Sequence, residues 1–102
     1  MQKELSERSV VSAAKDQVSS DMGGEAVILG LNRGVYYGLD PVGTFVWNLI
    51  QKPRTIASIR DAILDEYDVD PEQCERDLFA LLEQLTAEGL VVIGDRPNEE
   101  GG

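Results

Sequence analysis

Gly34-Val35-Tyr36-Tyr37-Gly38-Leu39-Asp40-Pro41 is where the chain changes period. Val35 to Leu39 is rich in β-branched and aromatic residues, the composition of a strand. Asp40-Pro41 reads as a helix start: a carboxylate placed to cap, then proline at the first helical position, where its missing N–H is no loss. Toward the N-terminus from this junction the pattern is that of strands, and toward the C-terminus that of helices.

On the N-terminal side, Asn32-Arg33-Gly34 predicts a tight turn with Gly34 in the left-handed region. Ala26 to Leu31 is apolar throughout, the pattern of a strand covered on both faces. Met22-Gly23-Gly24-Glu25 is a turn, and Asp16 to Asp21, around Val18, is a weak polar strand. Together these predict a three-stranded antiparallel meander. On the C-terminal side, Val42, Phe45, Val46, Leu49 and Ile50 form one apolar stripe, with Trp47 off it, and Lys52-Pro53-Arg54 ends the first helix. Thr55 caps a second helix with Ile56, Ile59, Ile63 and Tyr67 on one side. Asp70-Pro71 repeats the start signal, and Gln73 stands where a capping-box partner would. The third helix runs to Glu88, about 27 Å at the usual rise. Gly89 is its left-handed stop, and Leu90 to Ile93 is a short closing strand. The expected fold is α+β, a winged-helix-like domain: a three-stranded antiparallel sheet followed by three helices and a short terminal strand. Residues 1–9 read as a flexible N-terminus, 10–94 as one domain and 95–102 as a disordered tail.

With 102 residues and 42% apolar content, one small domain with a true core is expected. Nineteen acidic residues against nine basic ones give a net charge of -10. Such a surface repels phosphate backbones and anionic lipid, and favours a neutral or basic partner. There is no histidine, so the usual general base and the commonest metal ligand are missing. Cys74 is the only cysteine, which excludes an internal disulfide and a thiolate zinc site and suits a reducing, cytoplasmic compartment. Neither a signal-peptide stretch nor a membrane-spanning run is present in the sequence, and no membrane partner is expected.

Two places in the pattern could hold a ligand. On the third helix, Leu81, Cys74, Leu85, Leu78, Leu82 and Phe79 cover an arc of about 160°, wider than the roughly 100° stripe of a helix lying on a core. Either both flanks are covered, or one lines a groove rimmed by Asp77, Gln84 and Glu88. The strand Val35 to Leu39 carries none of the charges or prolines that usually blunt a sheet edge, and Gly38 would let another backbone come close. Tyr36 and Tyr37 simply packing is one reading. The other is an open edge to which an extended peptide adds as a further strand, its alternate side chains entering apolar pockets.

Chemical motifs are missing. Cys74 has no histidine to activate it and stands on the helix stripe, so it reads as a small buried apolar residue. The acidic run Asp65 to Asp70 fails as a calcium loop because Pro71 stands where glycine is needed. Gly23-Gly24 and Gly30 precede no lysine and open no helix, so they form no phosphate loop. Duplex DNA would need a basic surface, yet the second and third helices carry only Arg60 and Arg76 among many acids. Ser58 lacks the context of a carrier-protein attachment serine. No catalytic residue, metal or cofactor is expected.

Gly34 to Asp40, then Val42-Gly43, Trp47, Leu49, the segment Thr55 to Ile59, and Asp77-Leu78 to Leu85 with Glu88-Gly89-Leu90 resemble the PqqD-like proteins, the leader-recognition elements of ribosomally made, modified peptides. The resemblance covers about residues 10 to 93, and Val-Tyr-Tyr-Gly-Leu-Asp-x-Val-Gly followed by Trp is most similar to the stand-alone members of lasso-peptide clusters. It implies a winged-helix-like fold and a precursor leader peptide bound as an added antiparallel strand between the third strand and the third helix. Carried onto this chain, the strand contacts would be Val35, Tyr36, Tyr37, Gly38 and Leu39, and the helix wall Cys74, Asp77, Leu78, Leu81 and Leu85. Implied partners are a cysteine-protease-like leader peptidase and a lasso cyclase that uses ATP, met by a monomer. Two alternatives stand beside this: a chaperone of the pyrroloquinoline quinone precursor, and, from another class, a winged-helix regulator.

Overall fold

The computed structural model describes residues 6–21, 23–31 and 34–94. The expectations for residues 1–5, Met22, Asn32, Arg33 and the tail 95–102 lie outside the described residues. The elements in order are β1 (Val10–Ala13), β2 (Gln17–Asp21), β3 (Ala26–Gly30), β4 (Val35–Gly38), α1 (Pro41–Leu49), β5 (Arg54–Thr55), α2 (Ile56–Glu66), α3 (Pro71–Ala87) and β6 (Val91–Gly94).

The meander forms as expected, in the order β2-β3-β4, antiparallel throughout. Gly34 enters β4 at φ +66°, the left-handed conformation its place in the turn demands. One expectation fails in β3. Ala26, Ile28 and Gly30 are buried, but Val27 and Leu29 are only half-buried, so a single face meets the core. An unbroken apolar run fixes no second covering layer, and among the described residues no strand or helix buries the outer face of β3.

A second three-stranded sheet, β5-β1-β6, has no counterpart in the sequence reading beyond its closing strand. Here β1 is central, pairing Val10 with Thr55 on one side and Val11 with Ile93 on the other. The segment before it is tied down as well. Ser9 is buried, and the N–H groups of Ile56 and Ala57 donate to the carbonyls of Ser9 and Glu7, each at 3.0 Å. Those are the first donors of α2, which no helical carbonyl can satisfy. Glu7 and Ser9 thus take part in the hydrogen bonding of the fold.

All three helix starts form where the caps stand. Asp40 accepts from Gly43 N–H at 2.7 Å, Thr55 from Ser58 N–H at 3.1 Å and Asp70 from Gln73 N–H at 3.0 Å. Gln73 does not close a capping box; its side-chain amide donates to Asp77 at 3.0 Å. Gly89 ends α3 at φ +76°. Helix α1 is rotated from its expected stripe. Trp47, expected off the stripe, is only 2% exposed, while Val42 is 37% exposed. The small residues Gly43 and Thr44 account for this, since both are buried although neither counts in an apolar stripe. Thr44 Oγ1 accepts from Ala26 N–H at 2.8 Å and so docks α1 on β3. Phe45 meets Tyr67 edge to face, with ring centres 5.6 Å apart. The core joins Val11, Ile28, Val46, Trp47, Ile59 and Leu82, one or more from each layer.

Candidate peptide-binding groove

The outer edge of β4 is open: among the described residues no strand pairs with it. Leu39 N–H donates to Ala26 O at 2.8 Å, and Tyr37 lies opposite Ile28. Antiparallel pairing alternates, so Val35, Tyr37 and Leu39 bond inward, while the N–H and C=O groups of Tyr36 and Gly38 point outward to the open edge. A methyl group added at Gly38 would meet nothing within 4 Å. Side chains alternate too. Tyr36 is 72% exposed on the outer face, Tyr37 turns to the helix side, Val35 is half-buried, and Leu39 is buried.

Tyr37 reaches across to α3 and donates from its hydroxyl to Gln84 Oε1 at 2.7 Å. Burial, with Glu88 nearby, pushes the Tyr37 pKa up and keeps the hydroxyl a donor. On α3 the residues Asp77, Gln84 and Glu88 share one flank with Leu81, as the 3.6-residue repeat requires. The open flank is on this side. Leu81, Leu78, Cys74 and Asp77 line a cavity of about 330 Å³, which Asp40, Val42, Gly43 and Val46 close from α1, and Ile63 and Val69 from the α2 end. On the opposite flank Phe79 is half-buried and packs against the core, as Leu81 does on this one. A second cavity, of about 520 Å³, lies at the end of the β3–β4 pair, lined by Glu25, Ala26, Val27, Gly38, Leu39 and Asp40. Asp40 borders both.

Of the helix residues singled out from the sequence, Cys74, Asp77, Leu78 and Leu81 come together around one cavity. Leu85 does not: it is fully buried and its place is in the core. Asp40, Val42, Ile63 and Val69 were missed as lining residues. In the sequence Asp40 reads as a cap, and the others converge from three segments that share no local pattern. The cavity is apolar with two carboxylates at its border, and no Lys or Arg lines it. Burial, then Asp77, pushes the Cys74 thiol up, against the pull of Arg60, so it stays a neutral lining group. Arg60 itself is held by Glu7, Asp61 and Glu75 at 3.1, 3.4 and 3.2 Å.

A profile of the family described as Coenzyme PQQ synthesis protein D (PqqD) matches residues 25–91, from the start of β3 to the start of β6. The chain belongs to the PqqD family. No curated protein matches this PqqD-family chain. Among solved structures it is similar to "TbiB1 in Complex with the TbiA(beta) Leader Peptide", with a TM-score of 0.74 and 38% identity over 78% of this chain and 93% of that one. It is also similar to "Lasso peptide synthetase B1 complexed with the leader peptide", with a TM-score of 0.71 over 80% of this chain and 96% of that one; at 20% identity this second likeness speaks to the fold alone. Among the described residues, no helix is long and apolar enough to cross a membrane, and no three metal-ligating side chains gather.

Proposed function

We propose that this protein binds the leader segment of a ribosomally synthesised precursor peptide in lasso-peptide biosynthesis, and delivers it to a cysteine-protease-like leader peptidase and a lasso cyclase. The observation that carries this reading is the open edge of β4, with the outward-facing backbone of Tyr36 and Gly38, beside the partly open flank of α3. A guest strand on that edge would gain main-chain hydrogen bonds and set alternate side chains against Tyr37 and Leu81. The 38% identity to a protein solved with a leader peptide supports the ligand class. Delivery follows from effective concentration: a held leader keeps its cleavage site near an enzyme that binds the same complex.

The role is binding without catalysis, in the cytoplasm, as a monomer. The sequence contains no histidine, and burial favours the neutral form of the Cys74 thiol. The family description favours one second reading, a chaperone for the pyrroloquinoline quinone precursor. Fluorescence polarisation with a labelled leader peptide encoded beside this protein tests the proposal. Saturable binding of a lasso leader, with none of the quinone precursor, is expected; the reverse selectivity would replace the first reading with the second. A winged-helix regulator is disfavoured because Arg60 is already engaged by three carboxylates. A tight duplex complex in a low-salt gel shift would reinstate it.

A further inference from the structure

Main-chain pairing along β4 is blind to sequence, but the bond from Tyr37 to Gln84 puts a polar group where one guest side chain must pass. Tyr37 on β4 bonds Gln84 on α3, while Asp40 and Asp77 border one cavity. The three residues from Tyr37 to Asp40 span about 10 Å of extended chain, and the seven from Asp77 to Gln84 span about 10 Å of helix. Strand and helix therefore run side by side in opposite senses, with Gln84 level with Tyr37. The backbone groups of Tyr36 and Gly38 face the open edge, so a guest residue opposite Tyr37 sits between two hydrogen-bonded positions. There the two Cα atoms approach to about 4.5 Å, and the two side chains lie on the same face. Tyr37 turns to α3, so the guest side chain does too, beside the phenol ring and the Gln84 amide.

That amide is oriented. Its Oε1 accepts from the Tyr37 hydroxyl at 2.7 Å, and among the described residues no other side chain bonds it. Burial and then Glu88 raise the Tyr37 pKa, so the hydroxyl stays a donor and holds Oε1 toward itself. What exposed Gln84 has left for a guest is its two N–H donors. Glu88 nearby and the net charge of -10 repel an acidic side chain. An aliphatic one displaces water from the N–H groups without bonding them. We propose that Gln84 is a specificity-determining residue of the groove: its amide, turned by Tyr37, donates to the guest residue opposite Tyr37 and selects there an uncharged side chain with an acceptor oxygen, an amide or a hydroxyl. This role rests on the peptide-binding reading and adds to it one guest position and its chemistry.

Nuclear Overhauser contacts between α-protons identify the guest residue opposite Tyr37 in the complex with the leader peptide encoded beside this protein. Two synthetic versions of that peptide then differ at this residue alone. One carries O-methylserine, whose ether oxygen accepts and cannot donate; the other carries norvaline, which has the same shape and no acceptor. Gln84→Glu, at an exposed position, keeps an acceptor for Tyr37 and removes both donors. Fluorescence polarisation gives the ratio of the two affinities for each protein. The ratio of O-methylserine to norvaline affinity is expected to be about threefold higher for the wild type than for Gln84→Glu, the scale of one neutral hydrogen bond. Tyr37→Phe frees the amide to turn, and its ratio should fall between those two. A bond that only braced β4 against α3 would change both affinities alike and leave the ratio untouched. The same ratio in wild type and Gln84→Glu, or a higher one in the variant, would overturn the proposal and leave strand addition standing. A leader that binds without pairing to β4, or that does not bind, would remove strand addition and this proposal with it.

Discussion

Strands β1 and β4 are both four residues long, and both lie in three-stranded antiparallel sheets, but β1 is central and β4 is an edge. Strand β1 is bonded on both sides and sends Val10 and Val11 into the core. Strand β4 is bonded on one side and leaves the backbone groups of Tyr36 and Gly38 facing outward. The same backbone chemistry thus does two jobs. Where both edges are used, it joins segments distant in sequence and holds the core closed. Where one edge is left over, it offers a row of donors and acceptors that no strand among the described residues takes up. Strand β2, the other edge of the meander, carries Gln17, Ser19, Ser20 and Asp21, the polar composition that discourages pairing.

The sharpest way to break the comparison is at the centre of the closed sheet. Val11→Asp would put a carboxylate at a fully buried site and is expected to cost more than about 4 kcal/mol, a large share of the stability of a small domain. Circular dichroism should then show no cooperative melt near the wild-type temperature. Leu85→Ala follows, with a loss of about 2–5 kcal/mol from a cavity in the core. Leader affinity per folded molecule should barely change; a large loss of affinity would return Leu85 to the groove wall.

Gly38→Pro acts on the open edge instead. The N–H that it removes faces outward and bonds nothing in β3, and proline is tolerated on such an edge. Stability should fall by no more than about 1 kcal/mol, while leader affinity falls at least about tenfold, close to 1.4 kcal/mol. Titration calorimetry showing unchanged affinity would refute strand addition. Tyr37→Phe gives the smallest effect, the loss of one largely exposed hydrogen bond to Gln84. It also carries a pH signature. The folded pKa of Tyr37 lies above its ordinary 10.0, so its stabilising contribution is complete below pH 10 and is lost as pH rises through the folded value. Denaturant titrations from pH 9 to 11 should show a shallower alkaline decline in the phenylalanine variant.

Much of this could be read along the chain because it is local. The Gly34 turn, the meander and the three caps depend on residues a few positions apart. The open flank of α3 was visible as an over-wide apolar arc, although which flank was open was not. The outward-turned Val42 and the buried Trp47 could not be read, because a stripe counts apolar side chains and overlooks the burial of Gly43 and Thr44. The cavity lining was illegible for a related reason: Val42, Ile63, Val69 and Leu81 lie on separate segments, and nothing in their spacing announces that they meet.

Taken alone, the sequence determined where each helix begins, the identity of the meander, the acidic surface, and the absence of histidine. Those follow from side chains acting on their own neighbourhood, through caps three residues long, turns set by a glycine, and summed charge. Tertiary structure alone decided that residues 10–13 become a central strand, because their partners are Arg54–Thr55 and Val91–Gly94. It also decided that Leu85 is core while Leu81 faces a cavity. Such outcomes depend on which surfaces are left uncovered after the whole chain has packed, a quantity that no stretch of residues carries by itself.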